Sequence, residues 1–292
     1  MSKHSASCLD NRLAPLPKAV CNIFLFLVFL VMAIPMWNVI VVSTSTALQA
    51  SQAGLKLWWT GTPSLEGYLY VFQVTNLARP LLNSLFVSVV GTAAQVVLSS
   101  LAGYILIQRD LPFQRSITTF SFLTMMIPSD LTLVSIYQMN KQLHLINTYS
   151  GLILNGLISG FCIMLMRNYF LSVPYSLAES ARMDNAGEVR IFASIYMPIS
   201  LPGAATIFFL EFVGKWNSLM LPATLISEQE LYTLPLTLKQ MILSQSSVSG
   251  TTPPPENAIM ATIVISTIPL IFLYIFAQRF LLAGMTLGAS KE

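Results

Sequence analysis

The sequence predicts an all-α polytopic membrane protein, and three observations carry that prediction. Charged residues make up only 9% of the 292, against about 25% in ordinary soluble domains. The mean hydropathy is +0.69. Apolar runs also recur that reach the ~20 residues a helix needs to cross ~30 Å of hydrocarbon. A soluble domain of this size does not hold so many.

Six runs stand out, at about 20–43, 80–107, 116–138, 150–170, 203–224 and 259–281. Backbone polar groups facing lipid must be satisfied within their own segment, so each run is expected to be a transmembrane helix of one bundle. The first is long for a signal-peptide core, and the TSTALQAS after it has no clean A-x-A site, so it is expected to stay as an uncleaved span. Cys8 precedes this run, which argues against lipoprotein processing, and Cys8, Cys21 and Cys162 lack metal or disulfide spacing.

Lysine and arginine set the orientation. With the N-terminus inside, Lys3, Arg12, Lys18, Arg109, Arg115, Arg167, Arg182, Arg190, Arg279 and Lys291 are cytoplasmic, whereas Lys56, Arg79, Lys141 and Lys239 face outward. Both termini then lie in the cytoplasm. The domains follow as a tail at 1–19, a transmembrane domain at 20–283 and a second tail at 284–292. The formal charge of +3 offers no electrostatic case for a nucleic-acid partner.

The outer loop at about 44–79 holds Trp58, Trp59 and Tyr68, suited to anchoring at the lipid interface. The outer loop at about 225–258 carries Pro253–Pro255, either a stiff spacer or a docking surface. Ser84, Ser88 and Thr92 form a small-residue ridge in the second run, and Gly156 and Gly160 form a GxxxG pair in the fourth. Both patterns permit close helix approach.

No catalytic constellation is visible. His4 and His144 have no Glu or Cys at ligand spacing, no HExxH occurs, and no G-x-x-x-x-G-K-[ST] builds a phosphate loop. Any ATP chemistry must belong to another chain. Ionisable residues inside spans are costly and draw attention. Asp130 follows Pro128, a residue that kinks or breaks a helix, and this aspartate is either functional or water-exposed. In FFLEFVGKWNSLMLP, Glu211 and Lys215 stand four apart in the favourable order, beside Gly214, Trp216 and Asn217. That cluster reads either as the lining of a polar substrate pathway or as a neutralising structural pair.

The longest polar interval on the cytoplasmic side is 172–198, SVPYSLAESARMDNAGEVRIFASIYMP. Ser176 and Glu179 have capping-box spacing. Asn185 accepts a left-handed backbone readily and Gly187 adds flexibility. Two short helices joined at a left-handed turn are expected.

Glu179-Ser180-Ala181, Asp184-Asn185-Ala186 and Ile195-Tyr196-Met197-Pro198 resemble the EAA loop of ABC-transporter permease subunits, a pattern E-A-A-x3-G-x9-I-x-L-P. IPSDLTLVSIYQMNKQLHLINTYSGLIL at 127–154, GKWNSLMLPATLI at 214–226 and GMTLGASK at 284–291 are similar to the maltose-type carbohydrate permeases. The chain departs from the pattern at Ser180, at Asn185 where the family has glycine, and at Met197 where it has leucine. The resemblance implies one of two homologous permease subunits forming a pore in a bacterial inner membrane. It also implies a pair of cytoplasmic ATPases holding ATP and Mg, an extracytoplasmic solute-binding protein, a sugar or oligosaccharide substrate, and no cofactor in this chain. It assigns Glu179, Ala181, Asp184, Asn185, Gly187 and Pro198 to a coupling helix between spans 4 and 5, and brings the 284–291 tail to the ATPase interface. The competing expectations are a permease for a non-sugar solute, a membrane-embedded enzyme, or an assembly scaffold.

Overall fold

The computed structural model describes residues 15–52, 54–245 and 253–289. Every regular element among them is helical. In order these are α1 (Pro15–Ser43), α2 (Ala47–Ala50), α3 (Glu66–Gln73), α4 (Ala78–Ile105), α5 (Gln114–Met125), α6 (Leu133–Gln142), α7 (Tyr149–Leu154), α8 (Gly160–Leu171), α9 (Tyr175–Met183), α10 (Glu188–Ile191), α11 (Met197–Ile199), α12 (Leu201–Trp216), α13 (Met220–Leu225), α14 (Leu234–Gln245) and α15 (Glu256–Ala289). The N-terminal residues 1–14, with Lys3, His4, Cys8 and Arg12, lie outside the described residues, as does Lys291.

Three helices are each long and apolar enough to cross a membrane: α1, α4 and the part of α15 up to Phe280. Together α11 and α12, with the turns before them, make a further candidate, bent by 76° at Ser200. The expected run at 116–138 is not one helix. It is α5, a 3-10 turn at Ser129–Thr132 and α6, and the break falls at Pro128, which has no backbone donor to continue the ladder. The run at 150–170 is likewise divided into α7 and α8, because Gly156 takes a left-handed backbone (φ +102°) that ends a helix. The run at 203–224 divides after Trp216. In the expected outer loop at 225–258 an additional helix forms, α14. The expected tail from Gly284 continues as helix to Ala289.

The chain divides into two compact units. One comprises the described residues up to Tyr70 together with Pro255–Val264. In it α1 presents a lipid-type surface, with Phe24 64% and Phe29 62% exposed. Its C-terminal end is tied down by polar contacts: Trp59 Nε1 donates to Thr44 Oγ1 (2.8 Å), Tyr68 pairs with Ser43 (3.0 Å) and Asn257 Nδ2 donates to Ser45 O (3.0 Å). Trp58 is 77% exposed.

The other unit comprises the described residues of Val71–Pro254 and those from Ile265 onward. Its centre is α4, packed against α8 and α12. The buried face of α4 is rich in small residues, among them Ser84, Ser88, Gly91, Thr92, Ser99, Ser100 and Gly103, with larger ones such as Asn83, Gln95 and Tyr104 between them. The residues of the serine–threonine ridge are all buried, but Ser84 and Ser88 line a cavity; the close helix contact lies further along, at Gly103. A Cβ on Gly103 would sit 2.9 Å from Arg167 N and 3.2 Å from Ile163 O, both backbone atoms of α8. The GxxxG expectation needs correction. Gly156 lies in the break and Gly160 in the first turn of α8, so the two do not share a helix face; Gly160 alone admits a close neighbour, α5.

Gly103→Ala is expected to cost about 1–3 kcal/mol through overpacking, read as a lowered midpoint of thermal unfolding in detergent. Gly214→Ala, where a Cβ meets nothing within 4 Å, should be neutral or stabilising; equal losses in both variants would contradict the close α4–α8 contact.

Candidate functional site

Two features of the larger unit are candidates for function: a cavity within the bundle, with polar groups set in a largely apolar lining, and an exposed helical elbow at its end.

The cavity has a volume of about 420 Å³, and its lining includes Ser84, Ser88, Asn155, Glu211, Lys215 and Thr233. That size lies within the range of small-molecule sites. Lys215 reaches it from the last turn of α12. Two glycines make room for its side chain: a Cβ on Gly91 would touch Lys215 Cδ at 3.3 Å, and one on Gly156 would touch Nζ at 3.3 Å. The ammonium donates to Gly156 O (3.2 Å). Glu211 accepts instead from the thiol of Cys162 (2.9 Å), to which Gln95 Nε2 donates at 3.6 Å. Glu211 and Lys215 thus share the cavity but do not close into the direct ion pair that their spacing promised, since each has a nearer partner on α8 or in the break before it.

Trp216 and Asn217 depart from expectation. Trp216 is 2% exposed, stacks on Phe212 and donates to Ser266 O at 3.0 Å. It is a core residue of the bundle and does not line the cavity. Asn217 bonds Val213 O at the end of α12 and also lies outside the lining. Beyond the cavity, Thr92 Oγ1, Gln95 Oε1 and Ser99 Oγ continue along the same face of α4, buried and without a hydrogen-bond partner among the described residues. Buried polar groups are rarely left so. The backbone around Asp130 forms the 3-10 turn, and the placement of its side chain lies outside the described residues.

The elbow is 172–198. The expected capping box does not form: α9 starts at Tyr175 behind Pro174, with no side-chain cap. Proline presets the backbone for a first turn, so Ser176 already lies inside the helix and cannot cap it. The left-handed turn is where the sequence placed it, at Asn185 (φ +58°). Asn185 N–H bonds Arg182 O and Ala186 N–H bonds Ala181 O (3.0 and 2.9 Å), the paired bonds of a Schellman ending. Gly187 precedes α10 with φ −69°, a conformation open to any residue, so its flexibility is not used.

Beyond α10 the helix widens into a π-turn, Phe192–Tyr196, before α11. Pro198 cannot donate to the carbonyl four residues back. At Ser200 the chain bends into α12.

Arg182 holds the elbow closed. Its Nε donates to Glu188 Oε1 (2.7 Å), Nη1 to Tyr175 Oη (3.0 Å) and Nη2 to Gln108 Oε1 (3.1 Å). The Arg182 guanidinium and the Tyr104 hydroxyl hold the Glu188 carboxyl below its usual range. Tyr104, at the end of α4, donates to that same carboxylate and meets Phe170 and Tyr196 edge-on and Phe192 at a tilt, at centroid separations of 5.0–6.2 Å. Sequence reasoning did not find this Tyr104–Glu188–Arg182 link, because its members are far apart in the chain. The elbow's outer surface carries Glu179, Asp184 and Pro198, all exposed, with Ala181 half-buried behind them. Met183 and Val189 are 87% and 82% exposed. The polar character of the segment hid these two apolar tips.

A membrane bundle with charged and hydroxyl groups reaching into an internal cavity, and a charged elbow presented beyond it, is compatible with a transport subunit. Residues 95–287 match the family described as binding-protein-dependent transport system inner membrane component. The chain belongs to this family, as a permease subunit of an ABC importer and a multi-pass membrane protein. Among curated relatives, the polygalacturonan/rhamnogalacturonan transport system permease protein YtcP of Bacillus subtilis is 33% identical over 276 residues, covering 92% of this chain and 96% of that protein. The arabinooligosaccharides transport system permease protein AraQ of Halalkalibacterium halodurans is 27% identical, covering 92% and 94%. A chain of a bacterial ABC transporter involved in the import of the acidic polysaccharide alginate superposes with a TM-score of 0.82 at 24% identity, over 90% of this chain and 96% of that one; it establishes the likeness of fold. Members of this class move solutes and do no bond chemistry of their own. Among the described residues no group of three or more His, Cys, Asp or Glu could hold a metal ion.

Asn185→Gly should leave the elbow intact, whereas Asn185→Val places a β-branched residue at positive φ and should loosen it. Faster amide hydrogen exchange at Ala186 and Glu188 in the valine variant, and not in the glycine variant, is the expected readout.

Proposed function

We propose that this chain is one half of the pore of an ATP-driven importer for an oligosaccharide or polysaccharide fragment, working in a bacterial inner membrane with both termini in the cytoplasm. The observation that carries the reading is the mechanical continuity from the exposed elbow to the cavity: α10, the π-turn and α11 lead through one bend into α12, which ends at Lys215. In this reading the pore has six crossings, of which α5–α6, α7–α8 and α11–α13 are broken spans. The elbow is the coupling helix, seated by Glu179, Ala181, Asp184, Asn185 and Pro198 in a cytoplasmic ATPase. A pair of such ATPases supplies ATP and Mg, a homologous permease supplies the other half of the pore, and an extracytoplasmic binding protein delivers the sugar. The relatives named for saccharides, at 33% and 27% identity, support the substrate class. So do the hydroxyls, amides and charges that line the cavity and run on along α4.

The motion follows from the contacts. When the ATPases close, a seated elbow is displaced with them. The Arg182–Glu188 bridge keeps α9 and α10 moving together, and the aromatic cluster around Tyr104 passes the displacement to α4 and α8. The bend at Ser200 turns it into a swing of α12, which changes access to the cavity.

Reversing the charge at an exposed contact point should uncouple the machine. Glu179→Lys is expected to abolish sugar-stimulated ATP hydrolysis by the assembled complex without preventing membrane insertion; normal stimulation in that variant would remove Glu179 from the coupling contact. For the cavity, Lys215→Gln should lower uptake of acidic oligosaccharides by about tenfold, roughly the 1.5–3 kcal/mol of a hydrogen bond to a charged group, with less effect on neutral ones. Equal uptake of both sugar classes by wild type and variant would sink the assignment. One sn-glycerol-3-phosphate permease is 26% identical to this chain, so a preference of the wild type for phosphorylated glycerol over every saccharide would replace the sugar reading with a second anionic solute.

A further inference from the structure

Seven buried polar side-chain atoms lack a hydrogen-bond partner among the described residues, and three of them stand on one stripe of α4: Thr92 Oγ1, Gln95 Oε1 and Ser99 Oγ. A fourth, Thr233 Oγ1, belongs to a residue of the cavity lining. At 3.6 residues per turn, positions 84, 88, 91, 92, 95 and 99 fall within an arc of about 100°. The stripe is thus the face that lines the cavity with Ser84 and Ser88 and meets the Lys215 stem at Gly91. From there it runs on toward the elbow end of the bundle.

Local chemistry does not account for the three. A helical Ser or Thr has the carbonyl one turn back within reach, and Ser100, Thr118, Ser121 and Thr206 all bond it. Thr92 and Ser99 leave that bond unmade. They are 0% and 1% exposed, and Gln95 is 1% exposed, so neither lipid nor a partner subunit reaches them in this conformation. Gln95 donates its amide N–H to Cys162 Sγ (3.6 Å), and that thiol donates to Glu211 (2.9 Å), a cavity residue. Packing around this link is apolar: Cys162 shares a buried cluster with Val96, Met166 and Ile207. Leaving donors and acceptors dry in such a place lowers stability, and sequences retain that kind of local conflict where function uses the groups.

We propose that Thr92, Gln95 and Ser99 form a second solute subsite, shut in this conformation, which takes the hydroxyl groups of an uncharged sugar ring once α12 swings away from α4. The inference rests on the reading of the chain as half of a sugar pore. The groups themselves fix the ligand chemistry. Two hydroxyls that both donate and accept, and an amide oxygen that accepts, match the hydroxyls of a saccharide. None of the three carries a charge to hold a carboxylate or phosphate, and Glu211, joined to Gln95 through Cys162, adds acceptors and no positive charge. The cavity and the stripe therefore divide the solute between them. An acidic substituent is held beside Lys215, and the neutral ring is passed along α4.

The test uses the assembled importer in proteoliposomes, with arabinotriose as a neutral probe and trigalacturonate as an acidic one. T92V and S99A each remove one unmet hydroxyl with little change of shape, so both should give an equal or higher midpoint of thermal unfolding than wild type. Uptake should nevertheless fall by about fivefold in each variant, the usual worth of one hydrogen bond. The loss should strike both trisaccharides alike, unlike the charge-selective loss expected of Lys215→Gln. T118V, which removes a hydroxyl already bonded within its own helix, should leave uptake unchanged. A lowered midpoint in T92V and S99A would show that these hydroxyls hold the fold, through water within the seam, and would overturn the proposal. Unchanged uptake in both variants would overturn it as well, while leaving the sugar pore in place. A loss confined to trigalacturonate would assign the stripe to the acidic group and overturn the neutral-ring form. Uptake of neither trisaccharide by the wild type would remove the sugar reading, and the subsite with it.

Discussion

One narrow face of α4 is the constraint on which the larger unit depends. Along it serine, threonine and glycine recur, so α8 approaches until its backbone nearly meets Gly103 and α12 lays the Lys215 stem against Gly91. In lipid there is no hydrophobic gain from gathering apolar surfaces, and association rests on close packing and hydrogen bonds. A large residue on this face would separate the helices and remove both. The same smallness makes the cavity: the space not filled near Gly91 is occupied by the stem of Lys215, and the space beyond it is the cavity in which the proposed function places the solute. Packing and function therefore draw on the same residues, and neither can be altered without the other.

At the end of α4 the chemistry changes from small to aromatic. Tyr104 is the junction, packed against Phe170, Phe192 and Tyr196 and hydrogen-bonded through its hydroxyl to Glu188. Apolar rings resist shear because any sliding opens a void, and the charge-assisted bonds of Arg182 fix the angle between α9 and α10. The elbow is consequently stiff, although most of its surface faces solvent. Its apolar tips, Met183 and Val189, are held out on that stiff base, which suits a surface that a partner must grip and not merely touch.

How far the sequence could be read depended on the range of the interactions concerned. Apolar runs and the left-handed turn at Asn185 were legible, because hydropathy and backbone preference are local; so was the break at Pro128. The division at Gly156 was not, since an apolar stretch interrupted by one glycine looks continuous to any hydropathy window. The capping box at Ser176 failed because Pro174 starts the helix two residues too early. Glu211 and Lys215 satisfy the spacing rule, yet Cys162 and the Gly156 carbonyl, which no local rule could supply, are nearer partners. Trp216 was misplaced for a related reason: its polar neighbours in the chain suggested a pathway, but its indole points to Ser266, fifty residues on.

The bend of 76° at Ser200 sets a mechanical ratio. From that hinge to Lys215 is about 21 Å along α12 at 1.5 Å per residue. A change of about 10° at the hinge would therefore carry the ammonium sideways by about 4 Å, more than a hydrogen-bond length. A modest rotation near the surface is enough to pull the charge clear of the Gly156 carbonyl. The gearing is built into the length of the rod, so adding or deleting a turn of α12 would change the stroke at Lys215 without altering the chemistry of any group that lines the cavity.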